Sequence, residues 1–260
     1  MATKIEWTDE VWNPVTGCTK VSEGCTNCYA EANAKRFWGS RKFYDVYHHN
    51  DRLSIPLHWK NPRKVFVCSM GDLFHEKVSK SFIGLVFGHI KRCPQHIFQI
   101  LTKRPERMKQ FIESYYKECG FDVFKNVWLG VTCENQKTAD ERIPVLLQTP
   151  SQIWFLSIEP CLEDINISRF LDNRDCNTVG HCTFIDWVIV GCESGAKKRP
   201  CKLEWVKNII AECKRQSVSV FVKQLNINGK VVKDINQFPP DLRIREYPKE
   251  SNHENCIFKS

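Results

Sequence analysis

Six short runs of β-branched and aromatic residues recur along the chain, at 64–68, 96–101, 126–131, 152–156, 186–190 and 217–222. Most are apolar nearly throughout rather than alternating, the pattern of parallel strands buried on both faces. Between them lie helix-like stretches near 78–92, 105–118, 137–148 and 203–215, and Pro105 suits a first helical turn. A first strand is expected at 12–16 and a helix near 29–38. Alternating β and α at this spacing predicts a parallel sheet of six or seven units. A complete eight-unit barrel needs about 250 residues without sizeable excursions. An interruption at 39–63 and a tail hairpin at Asn228 and Gly229 leave too little of the 260 residues for that. The pattern therefore predicts an incomplete α/β barrel over 1–226, with an extension over 227–260.

The positions that follow each apolar run are polar or ionisable. Ser69 and Asp72 follow the run at 64–68, Lys103 and Arg104 the next, then Thr132 and Glu134, Glu159, Cys192 and Glu193, and Lys223 with Gln224. Parallel α/β folds bind ligands at the C-terminal ends of their strands, so this set marks a candidate site on one rim. Helix N-caps account for some of the Ser, Thr and Asp.

Charge adds a second feature. The net charge is +8. Residues 35–64 alone carry +6, with Arg41, Lys42, Arg63 and Lys64 among Phe37, Trp38, Phe43, Tyr44, Tyr47 and Trp59. Cations neutralise phosphates and aromatic faces stack on bases, so the excursion is a candidate nucleic-acid contact; a solvated loop packed by its own aromatics is the alternative. The short cluster Lys197, Lys198, Arg199 and Lys202 reads as an ordinary solvated loop. An apolar fraction of 42% and a charged fraction of 26% exclude a disordered or collagen-like chain. No apolar stretch approaches 18 residues and no secretory h-region opens the chain, so a cytoplasmic protein without a membrane partner is expected.

Cysteine usage is the third feature. Fourteen cysteines in a reducing compartment remain mostly thiols, and Cys68, Cys133 and Cys213 sit in apolar runs as small buried hydrophobes. Cys18, Cys25 and Cys28 differ. Their spacing is C-x6-C-x2-C, they lie between the first strand and the first helix, and Gly17 and Gly24 beside them allow tight backbone. Three soft ligands suit Zn²⁺ or an iron–sulfur cluster, with unligated thiols as the remaining reading. A structural zinc normally takes four protein ligands, so zinc would need a distant one such as Cys68.

These residues resemble the radical S-adenosylmethionine (SAM) enzymes and, more closely, the phage-associated three-Cys-motif family of radical SAM-like proteins. The likeness runs in order through 5–8, 12–18, 24–30, 69–74, 101–107, 126–132, 155–160, 186–191 and 223–224. It implies a partial (β/α)6-type TIM barrel with the cluster loop after the first strand. Two departures stand out. The majority spacing in the superfamily is C-x3-C-x2-C, and the smaller family often has Gly-Gly-Glu-Ser-Gly where this chain has Cys192 at the second position.

The resemblance implies a [4Fe–4S] cluster on Cys18, Cys25 and Cys28 whose open iron chelates SAM, reductive cleavage to a 5′-deoxyadenosyl radical, and hydrogen abstraction from substrate. Ser69 and Asp72 then lie where the SAM amino group is held. Lys103 or Arg104 pairs with its carboxylate, or forms a structural ion pair at a helix start. Thr132, Glu134, Glu159 and Glu193 are candidates for ribose or substrate groups, and Cys192 is incidental or a hydrogen donor. The expected substrate is DNA or a nucleotide, a hypermodified thymine of phage DNA, with a flavodoxin- or ferredoxin-type electron donor. A DNA-lesion repair lyase and a zinc-stabilised nucleic-acid-binding protein without catalysis are the alternatives.

Overall fold

A computed structural model describes residues 3, 5–119, 125–171 and 184–248. Two compact units divide it, Met1–Gly130 and Val131–Ser260. Each is a mixed α/β arrangement in which most strand pairs are parallel.

In the first unit β1 (Glu10–Trp12), β4 (Lys64–Val67), β5 (Ile97–Thr102) and the start of β6 (Val127–Thr132) lie side by side, with β4 parallel to both β1 and β5. The β-branched runs form strands because their side chains pack on both faces: all six residues of β6 are buried. Helices α1 (Tyr29–Phe37), α2 (Lys80–Lys91) and α3 (Pro105–Cys119) follow in the expected places. Ser79 caps α2 by accepting from the Phe82 amide, and Pro105 opens α3 where no amide hydrogen is needed.

The expected first strand at 12–16 is divided. Pro14 has no amide hydrogen for a ladder, and the chain turns there. Residues before it pair with β4, whereas β2 (Val15–Thr16) pairs antiparallel with β3 (Tyr47–His48), inside the basic excursion. The excursion is thereby fastened to the start of the cysteine loop. The His49 amide donates to Pro14 O at 2.8 Å, and the Trp12 indole donates to Arg52 O at 2.8 Å.

In the second unit β7 (Ile153–Ile158), β8 (Trp187–Gly191) and β9 (Ser219–Ile227) are parallel, and β10 (Lys230–Val232) returns antiparallel on β9. Asn228 and Gly229 both have positive φ, 49° and 74°, as a two-residue hairpin turn requires. Helix α4 (Gln136–Leu147) begins under a reciprocal cap between Asn135 and Thr138, and α5 (Leu203–Arg215) precedes β9. The expected boundary at 226/227 falls within β9, and positions 249–260 of the proposed extension lie outside the described residues. No helix among the described residues is long and apolar enough to cross a membrane.

Candidate functional site

The cysteine loop is placed by backbone before any side chain acts. Gly17 has φ +94°, donates to Met70 O at 2.8 Å, and leaves only 2.3 Å between an added Cβ and Asp45 O. No other residue fits there without moving the excursion. Gly24 is buried within the short 3-10 turn Glu23–Cys25. The Cys18 amide donates to Phe43 O at 2.9 Å, so the excursion also holds the first cysteine.

A charged network then grips the loop. Asp72, at the end of the turn after β4, is 5% exposed. Its carboxylate accepts from the Thr102 hydroxyl at 2.8 and 2.9 Å, from the Phe74 amide at 2.9 Å, and from Arg104 Nη1 at 3.1 Å. Arg104 spends every guanidinium nitrogen. Nε donates to Glu76 at 2.7 Å, Nη1 also to Cys18 Sγ at 3.5 Å, and Nη2 to the carbonyl and hydroxyl oxygens of Thr19 at 3.2 and 3.1 Å. Burial opposes the Arg104 charge, but Asp72, Glu76 and Cys18 more than offset it. Burial, with Asp72 second, pushes the Cys18 thiol up to about 11, and Arg104 opposes the rise. Thr19 closes the network through its hydroxyl, 2.9 Å from His75 Nε2.

Sequence reasoning placed Asp72 and Arg104 at the site but missed Thr19, His75 and Glu76. Arg104 takes the ion-pair role and has no guanidinium nitrogen left for a carboxylate. The ammonium of its neighbour Lys103, half-buried, has no ion-pair partner among the described residues. Ser69 exchanges hydrogen bonds with Asn13 at 3.3 Å, and its carbonyl accepts from the Tyr29 hydroxyl at 2.7 Å.

Cys18, Cys25 and Cys28 are each half-buried, whereas Cys68, Cys93, Cys133, Cys161, Cys192, Cys201 and Cys213 are buried. Among the described residues, no three His, Cys, Asp or Glu side chains are drawn together in the geometry of a metal site. The donor chemistry nevertheless fits a soft metal group. Three accessible thiols share one loop, and the guanidinium beside the first offsets part of the burial that keeps its proton on. Cys68 is buried, with its thiol pushed up by that burial, and it offers a poor fourth ligand.

The second unit holds the remaining strand-end acids, each with its own base. Glu134 is fully buried and paired with Arg142 at 2.9 Å, and Arg142 also donates to Thr132 O. Lys223 Nζ lies 2.7 Å from both Glu159 oxygens. Arg199 clamps Glu193 through Nε at 3.0 Å, Nη2 at 2.5 Å and its own amide at 2.8 Å. Arg199 therefore belongs to no freely solvated loop. Cys192 is fully buried, its thiol pushed up to about 12 chiefly by that burial. Gln224 donates to Cys192 O at 2.6 Å, and its own buried Oε1 has no hydrogen-bond partner among the described residues.

The basic excursion is less free than its composition suggests. The Arg41 guanidinium sits between Trp38 and Tyr47, 4.0 Å from each ring centroid, and donates to Thr16 O, Thr16 Oγ1 and Asp45 O. Arg63 pairs with Glu10 at 2.6 Å and Lys64 with Asp9 at 3.8 Å. Lys42 is exposed, as are the rings of Phe37, Tyr44 and Tyr47.

A family model described as "Protein of unknown function (DUF5131)" matches residues 2–243, which take in all of these positions. The chain belongs to the DUF5131 family. No curated protein and no solved structure matches this DUF5131 chain.

Proposed function

We propose that this protein is a radical SAM enzyme built on a partial (β/α)6-type barrel, with Cys18, Cys25 and Cys28 holding a [4Fe–4S] cluster. Its reaction modifies or isomerises a substituent on a nucleobase, a hypermodified thymine of phage DNA. One observation carries the reading: among the ten cysteines whose burial the structure describes, the three that are not buried are those of the C-x6-C-x2-C loop, and a buried ion-pair network grips that loop. A structural thiol needs no access; a ligand to an exchangeable group does.

When bound, the cluster and SAM would supply one-electron cleavage of the sulfonium and a hydrogen-abstracting 5′-deoxyadenosyl species. The chain's own residues orient and neutralise. Asp72 fixes Arg104, and Arg104 holds Cys18 and Thr19 in place. Lys103 supplies the ammonium for the SAM carboxylate. Glu159 and Glu193, held by Lys223 and Arg199, supply hydroxyl acceptors of set direction. Lys42, with the exposed aromatic rings, is the excursion's contact for the nucleic acid, and a flavodoxin- or ferredoxin-type protein delivers the electron.

The test is anaerobic purification followed by iron and sulfide analysis, then incubation with SAM, dithionite and modified phage DNA. The expected result is a brown protein absorbing near 400 nm, yielding 5′-deoxyadenosine and a nucleoside of altered mass. Cys25→Ala should lose the iron and that yield together. A colourless protein with stoichiometric zinc would instead support a non-catalytic binder, and iron content unchanged in Cys25→Ala would remove the ligand assignment.

A further inference from the structure

Beside Cys18 the charged network ends on a hydroxyl whose hydrogen is left over. The direction of that group is set by His75, which lies between β4 and α2 and is 1% exposed. Its Nδ1 accepts from the Lys77 amide at 3.1 Å. An amide nitrogen can only donate, so Nδ1 carries no proton, and the ring proton of the neutral imidazole is on Nε2. Burial, with Arg104 second, holds the His75 pKa below its ordinary value and keeps the ring neutral. Nε2 is therefore a donor. Thr19 Oγ1 at 2.9 Å is nearer to it than Glu76 Oε2 at 3.5 Å.

Thr19 Oγ1 thus has two donors aimed at it, His75 Nε2 and, at 3.1 Å, Arg104 Nη2. A hydroxyl has two lone pairs and one hydrogen. Both lone pairs are taken, and neither partner can accept in return: a guanidinium has no acceptor, and a protonated ring nitrogen has no lone pair to offer. The Thr19 hydroxyl hydrogen therefore has no acceptor among the described residues. The residue is also held through its carbonyl, which accepts from Arg104 Nη2 at 3.2 Å and from the Cys18 thiol at 3.4 Å. Thr19 is half-buried and follows the first cysteine directly, so the spare donor lies on the cysteine loop itself.

On the cluster reading given above, on which this rests, we propose that the Thr19 hydroxyl donates a hydrogen bond to a sulfur of the metal group on Cys18, Cys25 and Cys28 and raises its reduction potential. His75 is the positioning residue. A donor to a cluster sulfur offsets the negative charge gained on reduction, so the reduced state is favoured. His75 touches neither the metal group nor a substrate in this assignment. It acts through Thr19, by filling the lone pair that would otherwise let the hydroxyl turn.

Anaerobic redox titration of the full-length, iron-loaded protein, with iron measured on the same samples, tests the assignment. Thr19→Val removes the donor and keeps the shape; the expected result is the parent's iron content with a negative shift in midpoint potential. Thr19→Ser should keep the parent's potential. His75→Phe should shift it in the same direction as Thr19→Val but less far. His75→Gln should recover it, because the glutamine amide can accept from Lys77 and donate to Thr19. Nitrogen-15 shifts of the His75 ring in the metal-free protein at neutral pH should place the proton on Nε2. Thr19→Val with full iron and the parent's potential overturns the inference and leaves the cluster assignment standing. Where Thr19→Val loads poorly, the two His75 variants decide, and equal potentials in them overturn the inference. A proton on Nδ1 overturns the positioning role. A parent protein that takes up no iron overturns the cluster reading, and the donor assignment falls with it.

Discussion

The two units spend their buried charge differently. In the first, one carboxylate and one guanidinium, Asp72 and Arg104, gather Thr102, Thr19, Glu76 and Cys18 into a shared network around a loop of accessible thiols. In the second, Glu134, Glu159 and Glu193 are matched singly with Arg142, Lys223 and Arg199, and the described cysteines are buried. A shared network fixes a loop, because moving one member costs all the others. Separate pairs fix individual side chains and leave their neighbours independent. The first arrangement suits holding sulfurs in place for a metal group; the second suits setting the direction of single acceptors.

The strongest way to break that contrast is to remove the guanidinium from each unit. Arg104→Met leaves Asp72 buried and uncompensated, and Arg142→Met does the same to Glu134. Each should cost about 3–5 kcal/mol in urea unfolding, the usual penalty for stranding one member of a buried pair. The iron readout separates them: Arg104→Met should also lower reconstituted iron, since Cys18 and Thr19 lose their anchor, while Arg142→Met should not. Equal iron loss in both variants would mean that overall stability alone governs loading.

Arg199 gives a smaller and more specific effect. Its side chain is 28% exposed, but the carboxylate it clamps is 5% exposed. Arg199→Ala should cost about 2 kcal/mol, the range for leaving a buried ionised acceptor short of donors. Arg199→Lys should recover only part of that, because an ammonium cannot reproduce the two-pronged contact. Full recovery by lysine would show that charge, not geometry, holds Glu193.

Arg199 also shows where the chain was hard to read. The strands were legible because long β-branched runs have few other uses, and strand-end polar groups were legible because they interrupt those runs. Partners were not. Arg199 sits in a basic cluster that composition alone assigns to solvent, and Arg142 is one polar position in a helical pattern. Only the fold brings either one to its acid. Pro14 carried a readable warning, since proline cannot continue a ladder, yet where Val15 and Thr16 would go depended on Tyr47 and His48 far along the chain. The contacts inside the basic excursion were hidden for the same reason: Arg41, Arg63 and Lys64 have internal partners that lie far along the chain or depend on the loop's fold.

That excursion allows a third test. Arg41→Met removes a cation held between two rings and three hydrogen bonds, and should destabilise by about 1–2 kcal/mol. Lys42→Ala should leave stability within about 0.5 kcal/mol but flatten the salt dependence of DNA binding by about one unit of slope, one phosphate contact. If Arg41→Met changes the salt slope and Lys42→Ala does not, the sandwiched guanidinium is the one that meets the nucleic acid.

The smallest expected effect comes from a buried acid in the second unit for which no ion pair is seen among the described residues. Glu212, on α5, is 8% exposed, and burial raises its carboxyl above the ordinary 4.5. The Ile167 amide donates to it at 2.8 Å, and that bond together with Arg215 opposes the rise, while Asp164 adds to it. The folded state therefore holds the Glu212 proton more tightly than the unfolded state. Its contribution to stability is full below pH 4.5 and is lost as pH rises through the higher folded-state value. Glu212→Gln keeps an oxygen for the Ile167 amide but cannot ionise, so it escapes that loss. Urea midpoints measured from pH 4 to 8 should show the variant gaining on the parent as pH rises. A variant that instead falls further behind at pH 8 would mean the ionised carboxylate is stabilised where it lies, and Glu212 would join Glu134, Glu159 and Glu193 as a compensated acid.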